Sequence, residues 1–270
     1  MRTLLAIHVV AAFLLIAPSA SAAPALPDSI AGIGDSITRA TDVCCWYGDH
    51  PPQSWSTGGG AFDGIQSHYE RIRSLNPAIS GRNYNDARAG ARMRDAAGQA
   101  QTAVAQQARY VTILMGANDV CTSSPSTMTS VSDFRPQFAA AMSILASGLP
   151  AGSHVFVSSI PNVYRLWQVL RSNPVAQLVW GVAQICQAML SPFRTEQERQ
   201  AVLARERAFN QVLADVCAQY AAICRFDDLA VFNYPFTASH VSRLDYFHPN
   251  LTGQSILASI TWQRSWWTTP

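Results

Sequence analysis

Ser36 sits in the stretch "GIGDSITR" (residues 32–39), directly after a short apolar run. Its hydroxyl is a poor nucleophile until a base takes the proton. His248, in "DYFHPN" (245–250), offers an imidazole that titrates near neutral pH. Asp245 stands three residues before it, a spacing at which one turn of chain brings the carboxylate to the ring and sets its tautomer. A serine, a histidine and an aspartate in these roles make an acyl-transfer triad, which is defined by geometry and not by chain order. Such chemistry also needs donors aimed at the developing oxyanion. The backbone N–H of Ser36, the backbone N–H of Gly90 and the side-chain amide of Asn118 could supply them. Gly90 suits the task because it has no Cβ to hold substrate away from its backbone.

These residues lie far apart, so a fold must gather them. Strand-like runs alternate with helical patterns along the chain. "DSIAGIG", "RYVTILMG", "SHVFVSSI" and "AICRFDDL" read as strands, and "GRNYNDARAG" as a short strand with its outgoing loop. "AFDGIQSHYERIRSL" reads as one helix, with Ile65, Tyr69, Ile72 and Leu75 on one face. Further helices are predicted from Asp95 to Gln107, and from a cap at Ser132 or Asp133 to about Ser147. Val175 to Leu190 is a mostly apolar helical region. After Thr195 and Glu198, a capping-box pair, a long helix follows, and "TGQSILASITWQ" closes the chain. Alternation of this kind means crossover connections and a parallel sheet covered on both faces, a single three-layer α/β/α domain. Ligands bind such sheets at the carboxyl ends of the strands. The clusters at 34–36, 85–90 and 116–119 lie at predicted strand ends, and with the cluster at 245–250, just before the last helix, they could meet on one rim.

With these residues in order, the chain resembles the GDSL, or SGNH, hydrolase superfamily. The resemblance rests on Gly34-Asp35-Ser36, on Gly90, on Gly116-Ala117-Asn118-Asp119 and on Asp245-Tyr246-Phe247-His248, which span most of the chain. It implies a flavodoxin-like fold and a metal-independent serine esterase or lipase with no cofactor, similar to secreted, disulfide-containing bacterial members. No Gly-x-Ser-x-Gly elbow occurs, which argues against the α/β-hydrolase fold.

Each residue also has a plainer reading. Serine is a preferred helix cap, and Asn and Asp are common turn residues. It is the four clusters together that favour chemistry. Asp35 and Asp119 are expected to brace loops, and His50, His68, His154 and His240 to be structural or exposed. Trp46, Tyr47 and Trp55 follow the nucleophile closely and either line a substrate site or anchor a long loop. The apolar region 164–190 is open among a lid, a groove and core, with a buried helix pair the commoner outcome for helices apolar all round.

Arg2 and the apolar run "LLAIHVVAAFLLIA", followed by "ASA" at 20–22, read as a signal peptide over residues 1–22. The enzyme domain would then cover 23–270, in an extracellular protein. Export makes the six cysteines candidates for disulfides, in pairings the sequence does not choose among. Cys217 and Cys224 are spaced for a local loop, and Cys121 with Cys186 is then a long-range candidate. That leaves the adjacent Cys44 and Cys45, awkward partners for each other. A formal net charge of +2, no lysine and scattered arginines exclude the dense cationic face of a nucleic-acid binder. The expected partners are an ester or acyl-lipid substrate, with transient contact to a lipid surface, and the expected state is a monomer. The rival functions are a carbohydrate acetylesterase using the same residues and a non-catalytic cell-wall or lipid-binding module.

Overall fold

The three central strands of the sheet send alternate side chains into two separate cores. The computed structural model describes residues 23–268; the expected signal peptide, residues 1–22, lies outside the described residues. β1 (Ile30–Gly34) is followed by α1 (His68–Leu75), β2 (Asn83–Asn85), α2 (Ala96–Ala105) and β3 (Tyr110–Leu114). Then come α3 (Ala117–Val120), α4 (Val131–Gly148), β4 (His154–Val157), α5 (Val163–Leu170) and α6 (Pro174–Val182). The chain closes with α7 (Gln187–Leu190), α8 (Glu196–Gln219), β5 (Cys224–Phe226), α9 (Ala230–Asn233) and α10 (Leu251–Trp262). All pairings among the five strands are parallel, in the order β2-β1-β3-β4-β5. This is the flavodoxin-like doubly wound order.

Ala31, Ile33, Val111, Ile113, Val155 and Val157 face α2, α4 and α8. Ile30, Tyr110 and Phe156 face the opposite way, against Tyr69 and Ile72 of α1 and Trp262 of α10. The result is the expected three-layer α/β/α sandwich, with the central strands β1, β3 and β4 buried on both faces.

Three local expectations differ from the structure. The helix expected from residue 61 begins only at His68. Asp63 accepts the Ile65 N–H at 2.9 Å and Gly64 takes a positive φ of 76°, so the chain turns before Ser67 and Glu70 form a capping box. Ile65 is therefore buried from a turn, and Leu75 is exposed. The cap of α4 is Ser130, whose hydroxyl accepts the Asp133 N–H, and not Ser132 or Asp133. The 175–190 region is not one core helix, because Cys186 adopts a left-handed conformation and divides α6 from α7. In α6, Ala176 and Trp180 are buried while Val175, Leu178 and Val182 face outward.

Two disulfides are present, Cys121–Cys186 and Cys217–Cys224. Cys44 and Cys45 are not disulfide-bonded, and burial, then the neighbouring Cys45, pushes the Cys44 thiol up to about 11. A cross-link restricts the unfolded chain more when it closes a longer loop. The two bridges span 65 and 7 residues. Replacing both members of the first pair by serine is expected to lower unfolding free energy by about 4 kcal/mol, and of the second by about 2 kcal/mol. Urea unfolding of the two double variants measures this; equal losses would contradict it.

Candidate active site

β1 delivers Ser36 to the carboxyl edge of the sheet, and its end is held from both sides. Gln99 of α2 accepts the Gly34 N–H at 2.8 Å and donates to the Gly34 carbonyl at 3.0 Å. Gly34 is a glycine for want of space, since a Cβ there would lie 2.4 Å from Thr38 Oγ1 and 2.7 Å from the Leu114 carbonyl. Asp35, fully buried, accepts the Ile37 N–H at 2.9 Å and so closes the turn on which Ser36 sits. Burial, with no partner for its second oxygen, raises the Asp35 carboxyl to about 7. Gln254 of α10 anchors the same turn from outside, donating to the Ile37 carbonyl at 2.8 Å.

His248 arrives from the loop before α10. Its Nε2 lies 2.7 Å from Ser36 Oγ, and its Nδ1 is hydrogen-bonded to Asp245 Oδ2. With the proton on Nδ1, Nε2 is free to accept the serine hydroxyl. Asp245 Oδ1 also accepts the N–H groups of Phe247 at 2.9 Å and His248 at 3.1 Å, which locks the carboxylate. Burial alone would lower the imidazole, but the hydrogen bond and charge of Asp245, with Asp42 and Asp35, outweigh it and raise His248 above 6.5. Burial would likewise raise Asp245; the bond to His248 prevails, and its carboxyl is lowered.

The remaining blocks meet at the same edge. Asn118, on α3 just after β3, donates to the Ala91 carbonyl at 3.0 Å. Asp119 accepts the Met93 N–H at 2.9 Å and the Thr129 hydroxyl at 2.7 Å, so it ties the two loops together. Gly90 takes a φ of +77°, with open space where a Cβ would stand. Among the described residues, the N–H groups of Ser36 and Gly90 donate to no protein acceptor. Asn118 spends only one of its amide hydrogens on Ala91. Ser36, Gly90, Asn118 and His248 all line one groove of about 480 Å³. Val179 and Ile185 form an apolar wall of it, beside the Cys121–Cys186 bridge. The 164–190 region therefore supplies a groove wall. On the other side of His248, a smaller apolar crevice of about 70 Å³ is lined by Ile37, Ala117, Val163, Leu166 and Phe247.

The three aromatics separate. Trp55 is fully buried among Ile37 and Leu257, donates to Thr38 Oγ1 at 3.3 Å and does not reach the groove. Its position between β1 and α10 was not legible from a loop sequence. Trp46 is 66% exposed and leans on His50, outside the groove. Tyr47 lines the groove and donates its hydroxyl to the Leu244 carbonyl at 3.0 Å. The sequence reading missed Gln99, Gln254, Trp180, whose indole donates to the Tyr246 carbonyl at 3.0 Å, and Asp42. Only amphipathic spacing could have flagged Trp180; nothing marks the other three. Asp42, Asp245 and His248 present ligand atoms within 4.8 Å of one another. Both ring nitrogens of His248 already have protein partners, which leaves the imidazole no free lone pair for a cation.

A doubly wound sheet that carries a hydroxyl, an imidazole and a carboxylate in hydrogen-bonded sequence at its carboxyl rim has the build of an SGNH-type hydrolase. The chain belongs to the GDSL-like lipase/acylhydrolase family, whose model matches residues 30–260, and it is a carboxylic ester hydrolase. In fold it is similar to an alpha/beta hydrolase enzyme from the metagenome of Lake Arreo, Spain, at TM-score 0.54 and 16% identity, over 88% of this chain and 96% of that one. It is also similar to an acetylxylan esterase from Geobacillus stearothermophilus, at TM-score 0.52 and 13% identity, over 90% of this chain and 97% of that one. A catalytic mutant of that enzyme gives TM-score 0.55 and 12% identity, over 89% and 94%. No curated protein matches the chain in sequence.

Proposed function

We propose that the protein is a secreted serine esterase that cleaves short acyl esters, including those of lipids, through an acyl-enzyme on Ser36. The observation that carries this reading is the continuous hydrogen-bonded sequence Ser36–His248–Asp245 opening on the groove. In the first half-reaction His248 Nε2 takes the hydroxyl proton as Ser36 Oγ attacks the ester carbonyl. Asp245 stabilises the imidazolium that results. The N–H groups of Ser36 and Gly90 and the free amide hydrogen of Asn118 receive the oxyanion. His248 then gives its proton to the departing alcohol, leaving the acyl group on Ser36. Water, deprotonated by His248, attacks the acyl-enzyme, and the serine recovers its proton as the acid leaves.

The apolar crevice of about 70 Å³ beside His248 has room for a few methylene groups and suits the acyl chain, while the wider groove suits the alcohol part. Among the described residues no helix is long and apolar enough to cross a membrane, and the two disulfides fit an oxidising compartment. A second reading, a carbohydrate acetylesterase, draws support from the fold shared with the acetylxylan esterase.

Two measurements test these readings. A fluorophosphonate probe should label wild-type protein at Ser36, by mass-spectrometric mapping; a folded protein that takes up no label is a binding module instead. Across a chain-length series of chromogenic esters, kcat/KM should peak near butyrate or hexanoate, whereas a deacetylase fails beyond acetate.

The base must be neutral to act. Because the surrounding carboxylates raise His248 above 6.5, its neutral form is lost at a higher pH than for a free histidine. The acid limb of kcat/KM is therefore expected above pH 6.5, the value of an unperturbed histidine. A limb at or below pH 6.5 would contradict the role given to the carboxylates.

A further inference from the structure

We propose that Asp42 is a positioning residue for the hydrolysis: it stands behind the Asp245–His248 pair, straps the histidine loop in place and adds a second negative charge to the imidazolium that forms during attack. The inference rests on the reading of Ser36, His248 and Asp245 as the reacting chain.

Asp42 belongs to none of the sequence blocks that mark the family. Its backbone is left-handed, with φ 54°, a conformation that Asp tolerates better than most residues. The carboxylate is fixed by the Gly48 N–H, 2.6 Å from Oδ1, which closes the 42–48 loop on itself. The left-handed turn points both polar ends of Asp42 at the histidine loop. Its carbonyl accepts the Ser242 hydroxyl. Its carboxylate comes within 4.8 Å of the ligand atoms of Asp245 and His248. A second strap runs from the Tyr47 hydroxyl to the Leu244 carbonyl at 3.0 Å. Loop 41–48 and loop 242–248 are thus bonded on either side of the point where the carboxylate sits.

The charges around the site give this placement a consequence. His248 faces Asp245 on its own loop, Asp42 across the gap and the buried Asp35 under the serine turn. Asp42 faces Asp245 and His248, while Asp49 on its own loop is paired with Arg39 at 2.9 Å. Burial, aided by the charge of Asp245 and opposed by the Gly48 N–H, raises the Asp42 carboxyl. Two carboxylates this close repel each other until a cation appears beside them. The imidazolium of the transition state is that cation, so Asp42 stabilises it more than it stabilises the resting imidazole.

The test is Asp42→Asn, which keeps an acceptor for Gly48 and removes the charge. Taking a negative charge from beside the imidazole favours its neutral form, so the acid limb moves down. The expected result is a kcat about tenfold lower with KM little changed, and an acid limb lower by about half to one pH unit. Asp42→Glu, which keeps the charge, should hold the limb within about 0.2 unit of wild type. If the amide variant does not fold, Asp42→Ser is read in its place. A limb that stays at the wild-type pH in the uncharged variant overturns the proposal, whatever happens to kcat, because a purely structural strap lowers the rate without moving the limb. Failure of the underlying mechanism looks different: the wild-type protein itself would show no fluorophosphonate label on Ser36.

Discussion

Ser36→Ala is expected to lower kcat/KM for a chromogenic butyrate ester by about 10,000-fold or more while the protein keeps its circular dichroism spectrum and melting temperature. The size follows from the place of Ser36 as nucleophile in the proposed mechanism. Without Oγ no acyl-enzyme forms, and His248 has only water to deprotonate. The oxyanion donors remain, so a residual rate over water persists, as in other triads stripped of a member. The fold should survive because the hydroxyl makes one hydrogen bond, to His248, while the turn is held by Asp35, Gln99 and Gln254. An alanine variant within about tenfold of wild type would remove Ser36 from the chemistry.

Asp245→Asn is expected to cost about 1,000- to 10,000-fold in kcat with little change in KM. Asn Oδ1 can go on accepting the N–H groups of Phe247 and His248, so the loop keeps its shape. The amide nitrogen then faces His248 Nδ1 and donates to it. This forces the proton onto Nε2, the atom that must accept from Ser36. The variant thus separates loop geometry from tautomer control: an intact fold with a large kcat loss is the expected pair of results. Near wild-type kcat would mean that another acceptor, such as a backbone carbonyl, orients the ring.

Much of this architecture was legible in the chain. Three apolar runs with β-branched residues became the central strands β1, β3 and β4, because a parallel strand buried on both faces admits little else; the edge strands β2 and β5 are short and only partly buried. The Thr195–Glu198 box starts α8 as its spacing predicts. Positions after β1 and β3 were readable as rim positions, since every strand of a parallel sheet ends at the same edge. The illegible parts lie where the backbone leaves regular structure. The turn at 63–67, the break at Cys186 and the left-handed Asp42 each depend on one residue's φ or on a single side-chain bond, to which hydrophobic periodicity is blind.

The sequence by itself determined which chemical groups are available and which edge of the sheet receives them. A hydroxyl, an imidazole, carboxylates and an amide stand in segments whose polarity interrupts strand or helix patterns, and topology carries those interruptions to one rim. Only the tertiary structure decided depth and partnership. It buried Trp55 beside Thr38 and sent Tyr47 to the groove, though both belong to one loop. It turned α6 so that Val179 forms a wall while Leu178 faces outward, and it set Asp42 against Asp245. The physical reason is range: strand and helix patterns arise from neighbours a few residues away, whereas a loop side chain takes its direction from contacts with segments some 200 residues distant, as Ser242 and Asp42 show.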